Sequence, residues 1–334
     1  MKKRLLNYKG MIMIDRRVKR NQHFVPQSYL RRFTIKGEQS LLWSFDKKVK
    51  GYLRNPSSVN RVCCEDYYYY QIDEQGGVNH ILLEDAISDI ERIGNDGIND
   101  LINMSSMPYA YLPIEKISNI SFYIALMQTR GPTFRDAVNN LYGDMAVRAL
   151  EATFEDKVLP EAPTALKELI DEMGLLNVVK PSILTTVSLM HMIESAKQIS
   201  HSILKKQWTL LIACNGSEFI TSDNPVIFYS EKHERDVGPA HHNAITLFPL
   251  SPKLCLRIEG RSGPEIEIKI TKCKKVEQIG INKLIYNGAM SNVFLSSKQD
   301  WLEVYSKEDN SAGLKIMFDG IKNNFDIIKN PFKR

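Results

Sequence analysis

The sequence predicts an α+β fold: one large domain with a central helical block, flanked by a small N-terminal β element and a C-terminal, mostly antiparallel sheet. Three textures predict it. Residues 23 to 72 mix short strand-like and helical pieces, and residues 80 to about 206 carry apolar side chains at helical spacing. Residues 207 to about 297 break into short β-branched runs punctuated by Gly, Pro, Asn and Ser. Strands, then helices, then strands argue for segregated α+β layers and against alternating βαβ units. The expected division is a basic arm over residues 1–20, the domain over 21–300, and a helical extension over 301–334.

Each element has its own signal. A short helix is expected from Gln27 to Phe33, because Pro26 presets the backbone where a helix begins. Leu41 to Asp46 alternates like a strand, and Tyr67 to Ile72 is a second candidate because aromatics suit a pleated surface. Leu83, Ala86, Ile87, Ile90 and Ile93 recur at helical period. Ile114 to Arg130 is apolar almost all round, the pattern of a buried helix. Gly131-Pro132 stops it, and Thr133 with Asp136 predicts a capping box for the next helix, which runs towards Leu159. Further helices are expected over roughly 164–173 and 182–206. Expected strands cover Trp208–Cys214, Glu218–Thr221, Val226–Tyr229, Ala244–Phe248, Leu254–Glu259, Glu265–Ile270 and Asn292–Leu295, with a helix over 273–287.

Charge is unevenly placed. Residues 1 to 20 hold eight Lys or Arg and one acid, a local charge of +7, which leaves −2 for the rest of a chain whose net charge is +5. Such an arm is either a solvated terminus or a contact for phosphates, so nucleic acid is a candidate partner through it. No apolar run approaches the ~20 residues that span a bilayer, which predicts no membrane partner. Five cysteines without a Cys-x-x-Cys pair predict reduced thiols and a cytoplasmic location, not a disulfide framework or a zinc ribbon. Walker, Gly-x-Gly-x-x-Gly and His-Glu-x-x-His patterns are absent, so no cofactor is predicted, although carboxylates and histidines leave room for a divalent metal. Nothing here sets the oligomeric state.

Two proline motifs stand out: His23-Phe-Val-Pro-Gln-Ser-Tyr-Leu-Arg-Arg-Phe33 and Thr221-Ser-Asp-Asn-Pro-Val226. With Leu42-Trp-Ser-Phe-Asp46, Glu65-Asp-Tyr-Tyr68, Leu83-Glu84, Gln128-Thr-Arg-Gly-Pro132 and Phe248-Pro-Leu-Ser-Pro252, the chain resembles a widespread bacterial family of unknown function. That family carries His-x-Val-Pro-x-x-Tyr-Leu-x-x-Phe near its start and Thr-Ser-Asp-Asn-Pro-Val later. The likeness covers roughly residues 22 to 297, and Gly131 departs from the Thr more usual there. It implies no activity.

Candidate site residues follow from side-chain chemistry. His23, whose type trades protons near neutrality, is either a general acid/base or a ring packed under the Pro26–Tyr29 turn. Asp223 and Asn224 sit at a strand break, either as catalytic groups or as staples of a kink. Arg130 and Arg135, with Tyr29, are candidates for substrate binding; alternatively Arg130 pairs with Glu84 or Glu91 to cap its helix. Glu84 or Glu91 could supply a second carboxylate. The Glu231–His242 loop is a weak metal candidate, and no metal ligand is predicted. Together these favour a hydrolase of a phosphate-containing substrate, a nuclease-type bacterial defence or toxin effector. The alternative is a non-catalytic nucleic-acid-binding or sensor module in which both motifs are architectural.

Overall fold

Gly94 and Gly97 set how closely the helical block is built. The computed structural model describes residues 20–72, 78–79, 82–155, 164–179, 181–184, 186–231, 238–260, 267–308 and 326–328. In it the central helix Ile114–Thr129 packs between Leu82–Asn103 and Thr186–Leu204. A Cβ on Gly94 would meet the Tyr123 Cβ at 2.5 Å, and one on Gly97 would meet Ile120 at 2.8 Å, so the two helices touch where side chains are missing. Pro132 opens the next helix, Pro132–Glu155, at the position where its absent N–H costs nothing, so this helix starts before the expected Thr133 cap.

The helical block covers one face of a sheet. Among the described residues, six strands form it in the order Ile227–Tyr229, Ile245–Ser251, Leu254–Glu259, Gln207–Ile212, Glu267–Lys272 and Tyr109–Tyr111. All neighbours are antiparallel except Gln207–Ile212 with Glu267–Lys272. Side-chain alternation divides two cores: Leu210, Phe248 and Leu256 join the helices, while Leu211, Leu247 and Cys255 face the other way. That second core is closed by the helix Lys275–Gly288 and a smaller sheet. The smaller sheet runs Thr221–Ser222, Asn292–Leu295, Leu41–Asp46 and Gly51–Tyr52, with Ser57–Ser58 also on Leu41–Asp46. The molecule is an α+β single domain. Within its N-terminal β element, Leu41–Asp46 pairs with the C-terminal strand Asn292–Leu295, while Asn21–His23 and Cys64–Asp66 form a two-stranded sheet of their own.

Several elements differ from expectation. Tyr67–Ile72 is mostly a turn: Tyr67 has φ +52°, and Tyr68, Tyr69 and Tyr70 are all buried, where a strand would alternate them. The strand forms instead at Cys64–Asp66, paired with Asn21–His23. Ser182–Leu184 is a strand paired in parallel with Asp326–Ile328, and the helix begins at Thr186. Tyr109–Tyr111, unforeseen, forms an edge of the larger sheet. The basic arm lies outside the described residues, Arg20 excepted, as do His233, Glu234 and Asp236 of the candidate metal loop. Of the expected C-terminal extension, the described part is the helix Asp300–Glu308 and the strand Asp326–Ile328.

Candidate functional site

His23 ends the short strand that pairs with Cys64–Asp66, and the motif chain then turns into the helix Gln27–Leu30. That helix lies along Leu82–Asn103 in a ladder of hydrogen bonds. Gln22 Nε2 donates to Glu84 Oε2 at 2.8 Å, Asn95 Nδ2 to Ser28 Oγ at 2.9 Å, and Arg32 Nη2 to Asn99 Oδ1 at 3.0 Å. Between these rungs lies a cleft of about 280 Å³, lined by Asn21, His23, Pro26, Gln27, Ser28, Tyr69, Glu84, Ile87, Ser88 and Glu91. His23, Glu84 and Glu91 are therefore brought to one place.

The protonation of His23 follows from its partners. Nε2 lies 3.1 Å from the Val59 carbonyl oxygen, which can only accept, so Nε2 carries the hydrogen. Nδ1 is then the basic nitrogen, 3.5 Å from the Gln27 amide nitrogen. Burial pushes the imidazole pKa below its ordinary value of 6.5, against the pull of the Val59 bond, and the Arg130 and Arg31 charges push it further down. The ring is thus neutral near pH 7 and able to accept a proton.

Arg130 lies beneath this cleft, not in it. Its side chain is wholly buried; Nε donates to the Phe24 carbonyl at 2.7 Å, and Nη1 to Glu91 Oε1 at 2.6 Å. Burial disfavours its charge, but Tyr69, Glu91 and Tyr123 outweigh that and hold the guanidinium protonated. Of the two roles weighed for it, the pairing with Glu91 is the one present. Arg135 donates to the Tyr68 carbonyl at 2.7 Å and stands 3.6 Å over the Tyr68 ring centroid. Tyr29 is fully buried, stacked on Phe248 with ring centroids 5.2 Å apart. Its hydroxyl donates to the Pro249 carbonyl at 2.8 Å and lies 2.7 Å from Thr221 Oγ1. Through Tyr29 the two motifs touch.

Asp223 and Asn224 are placed differently. Asp223 Oδ1 accepts from the Met290 amide, and Oδ2 from the Ser291 and Asn292 amides, all at 2.8 Å. Burial raises the pKa of this carboxyl, against the pull of those amides and of Lys47. Asn224 Nδ2 donates to the Gly288 carbonyl at 3.0 Å. Ser222 Oγ donates to the Asn224 carbonyl at 2.8 Å. Both residues thus tie the strand break to the turn that follows Lys275–Gly288. Neither lines the His23 cleft.

Ser28, Ser88, Tyr69 and Gln27 line the cleft without having been singled out in the sequence. Ser88 had a signal: Glu84, Ser88 and Glu91 are spaced i, i+4, i+7 along one helix face. Tyr69 had none, since its place depends on a turn at Tyr67 that strand-like aromatics conceal. Among the described residues no group of three or more His, Cys, Asp or Glu is placed to hold a metal ion, and no helix is long and apolar enough to cross a membrane. Residues 21–299 match the family model described as protein of unknown function, DUF4238. No curated protein and no solved structure matches the chain.

Proposed function

This chain belongs to the DUF4238 family, proteins of unknown function, and we propose that it is a cytoplasmic hydrolase of a phosphate-containing substrate, RNA or another nucleic acid, of the kind that serves as a defence or toxin effector. One observation carries the reading: a neutral histidine with its basic Nδ1 at a cleft that also holds two carboxylates. His23 would take a proton from an attacking water whose oxygen forms a bond to phosphorus. The phosphorus bond to the leaving oxygen breaks, and the resulting imidazolium returns the proton to that oxygen. Arg31, which is exposed and donates to Oε1 of the lining residue Gln27 at 3.1 Å, would meet the phosphate. Arg130 in this scheme holds Glu91, while Asp223 and Asn224 fix the turn behind the motif. The N-terminal basic arm adds non-specific attraction to a polyanion.

The test is the purified chain against single-stranded RNA, single-stranded DNA and duplex DNA, with and without a chelator. Cleavage that His23→Ala removes, while the melting temperature stays within a few degrees, is the expected result. Activity preserved in a folded His23→Ala variant would overturn the assignment. Loss of activity with chelator would add a divalent metal to the reaction.

A second reading, a non-catalytic binding or sensor module, is favoured by a different observation. Arg130 and Asp223, two of the charged residues nominated for chemistry, are buried and fully engaged by local partners. Nucleic-acid binding without turnover of any of the three substrates would select it.

A further inference from the structure

The larger sheet ends on an unguarded strand. At one edge Ile227–Tyr229 is buried or half-buried throughout, whereas at the other Tyr109–Tyr111 exposes both of its tyrosines. Edge strands usually carry a charge, most often Lys, that keeps other chains from pairing with them. The ten residues from Ser105 to Ile114 include none. Among the described residues no strand lies on the outer side of Tyr109–Tyr111.

The pairing on the inner side fixes what the outer side offers. Ile270 donates its amide to the Pro108 carbonyl at 3.1 Å, and the register sets Ala110 opposite Ile268 and Tyr109 opposite Lys269. Hydrogen-bonded and non-hydrogen-bonded pairs alternate in an antiparallel ladder, so Pro108 and Ala110 turn their polar groups inward and Tyr109 turns its amide and carbonyl outward. Side chains alternate as well. Ala110 is buried against the helical block, so Tyr109 and Tyr111 share the opposite face, where they are 40% and 64% exposed. Met107 and Ile114, at the two ends of the strand, are 54% and 56% exposed. These four side chains leave roughly 400 Å² of apolar surface on each copy, the size at which an exposed patch marks an interaction site.

We propose that this edge pairs with the same edge of a second copy of the chain, about a two-fold axis at Tyr109. An antiparallel pair centred there is self-complementary. The two Tyr109 residues exchange both hydrogen bonds, and Tyr111 of each copy meets Met107 of the other, a contact that thioether and ring favour. A two-fold pair closes on itself, so the assembly is a dimer and not a filament. A polyanion fits the surface poorly, since the strand has no cation and its Tyr111 hydroxyl donates to Glu267 Oε2 at 3.0 Å. With the paired backbone, the two copies bury about 1,000 Å², the lower limit for a specific interface, so the dimer forms and dissociates at about micromolar concentration. None of the cleft-lining residues lies in this strand, so the dimer is independent of the hydrolase reading.

Sedimentation equilibrium of the full chain, freed of nucleic acid, reads the mass from about 1 µM to about 1 mM. The mass is expected to rise from one chain to two, with little change between low and high salt, because the interface makes no charged pair. Tyr109→Glu sets two carboxylates face to face across the axis while keeping Lys269 opposite within its own chain, and Tyr111→Lys keeps Glu267 as its own partner. Each is expected to weaken association at least tenfold with the melting temperature within a few degrees of the parent. Amide exchange at Tyr109 of the parent chain decides the matter even if neither variant folds: slower exchange at high concentration sustains the pairing, and equal exchange overturns it. A parent chain that stays monomeric, or dimers that survive in both folded variants, would also overturn it. A monomeric parent whose binding of single-stranded RNA is lost in Tyr109→Glu would give the surface to nucleic acid instead.

Discussion

Asp223 and Arg130 show how a single buried charge is made tolerable. The Asp223 carboxylate accepts three backbone amides, and removing it takes the acceptor from three donors at once. Asp223→Ala is expected to destabilise the fold by about 3 kcal/mol or more, read by denaturant titration. Arg130→Met strands the Glu91 carboxylate and the Phe24 carbonyl, with an expected loss of about 3–5 kcal/mol. His23 responds to pH in the opposite sense to a paired histidine. Its folded pKa is depressed below 6.5, so the unfolded chain binds the proton more readily. Its contribution is fully present above about pH 6.5 and is lost as pH falls through the depressed value. His23→Gln should flatten that part of the stability profile, and an unchanged slope between pH 7 and 5 would refute the assignment.

At the scale of elements, glycine carries the clearest prediction. Replacing a helix-interior Gly with Ala ordinarily gains about 1 kcal/mol. At Gly94 the sign reverses, because the new methyl lands 2.5 Å from the Tyr123 Cβ, an atom fixed to its own backbone. Gly94→Ala is expected to cost about 1–3 kcal/mol, visible as a lower melting temperature. Legibility in the sequence followed the same division. Ile114–Thr129 was readable because its apolar surround states its own burial, and Asn292–Leu295 because β-branched and apolar residues run between turns. Tyr67–Ile72 misled because four aromatics look like a strand whether they alternate or all turn inward. Among the site residues, Glu84 and Glu91 shared a legible helix face with Ile87, and a pairing of Arg130 with Glu91 was open from the outset. For Asp223 a stapling role was one of two open readings, but its partners were hidden, because they are amides 67 to 69 residues away whose own side chains are irrelevant.

For the whole molecule, the large sheet lies between two cores, so damage to one is felt in the other. Leu210 and Leu211 are neighbours in sequence, yet they belong to opposite cores. Unfolding by denaturant should therefore be one transition, coincident by tryptophan fluorescence and far-ultraviolet circular dichroism, since Trp208 lies in one core and Trp43 and Trp301 against the other. Tyr29→Phe removes the hydroxyl that meets both Pro249 and Thr221; it should lower the stability by about 1–3 kcal/mol without splitting that transition.

The Tyr29 contact has a consequence in time. Its partner Thr221 lies 192 residues further along, and Pro249 lies 220. A ribosome adding roughly 5–20 residues per second needs about 10–40 s to deliver the first of them. Throughout that interval the nascent amino-terminal motif has neither its stacking ring, Phe248, nor its hydroxyl acceptor, and Leu41–Asp46 lacks its pairing strand, Asn292–Leu295. The buried face of Tyr29 is thus enclosed only after the strand carrying Pro249 has been made, whereas every residue that lines the cleft lies between positions 21 and 91.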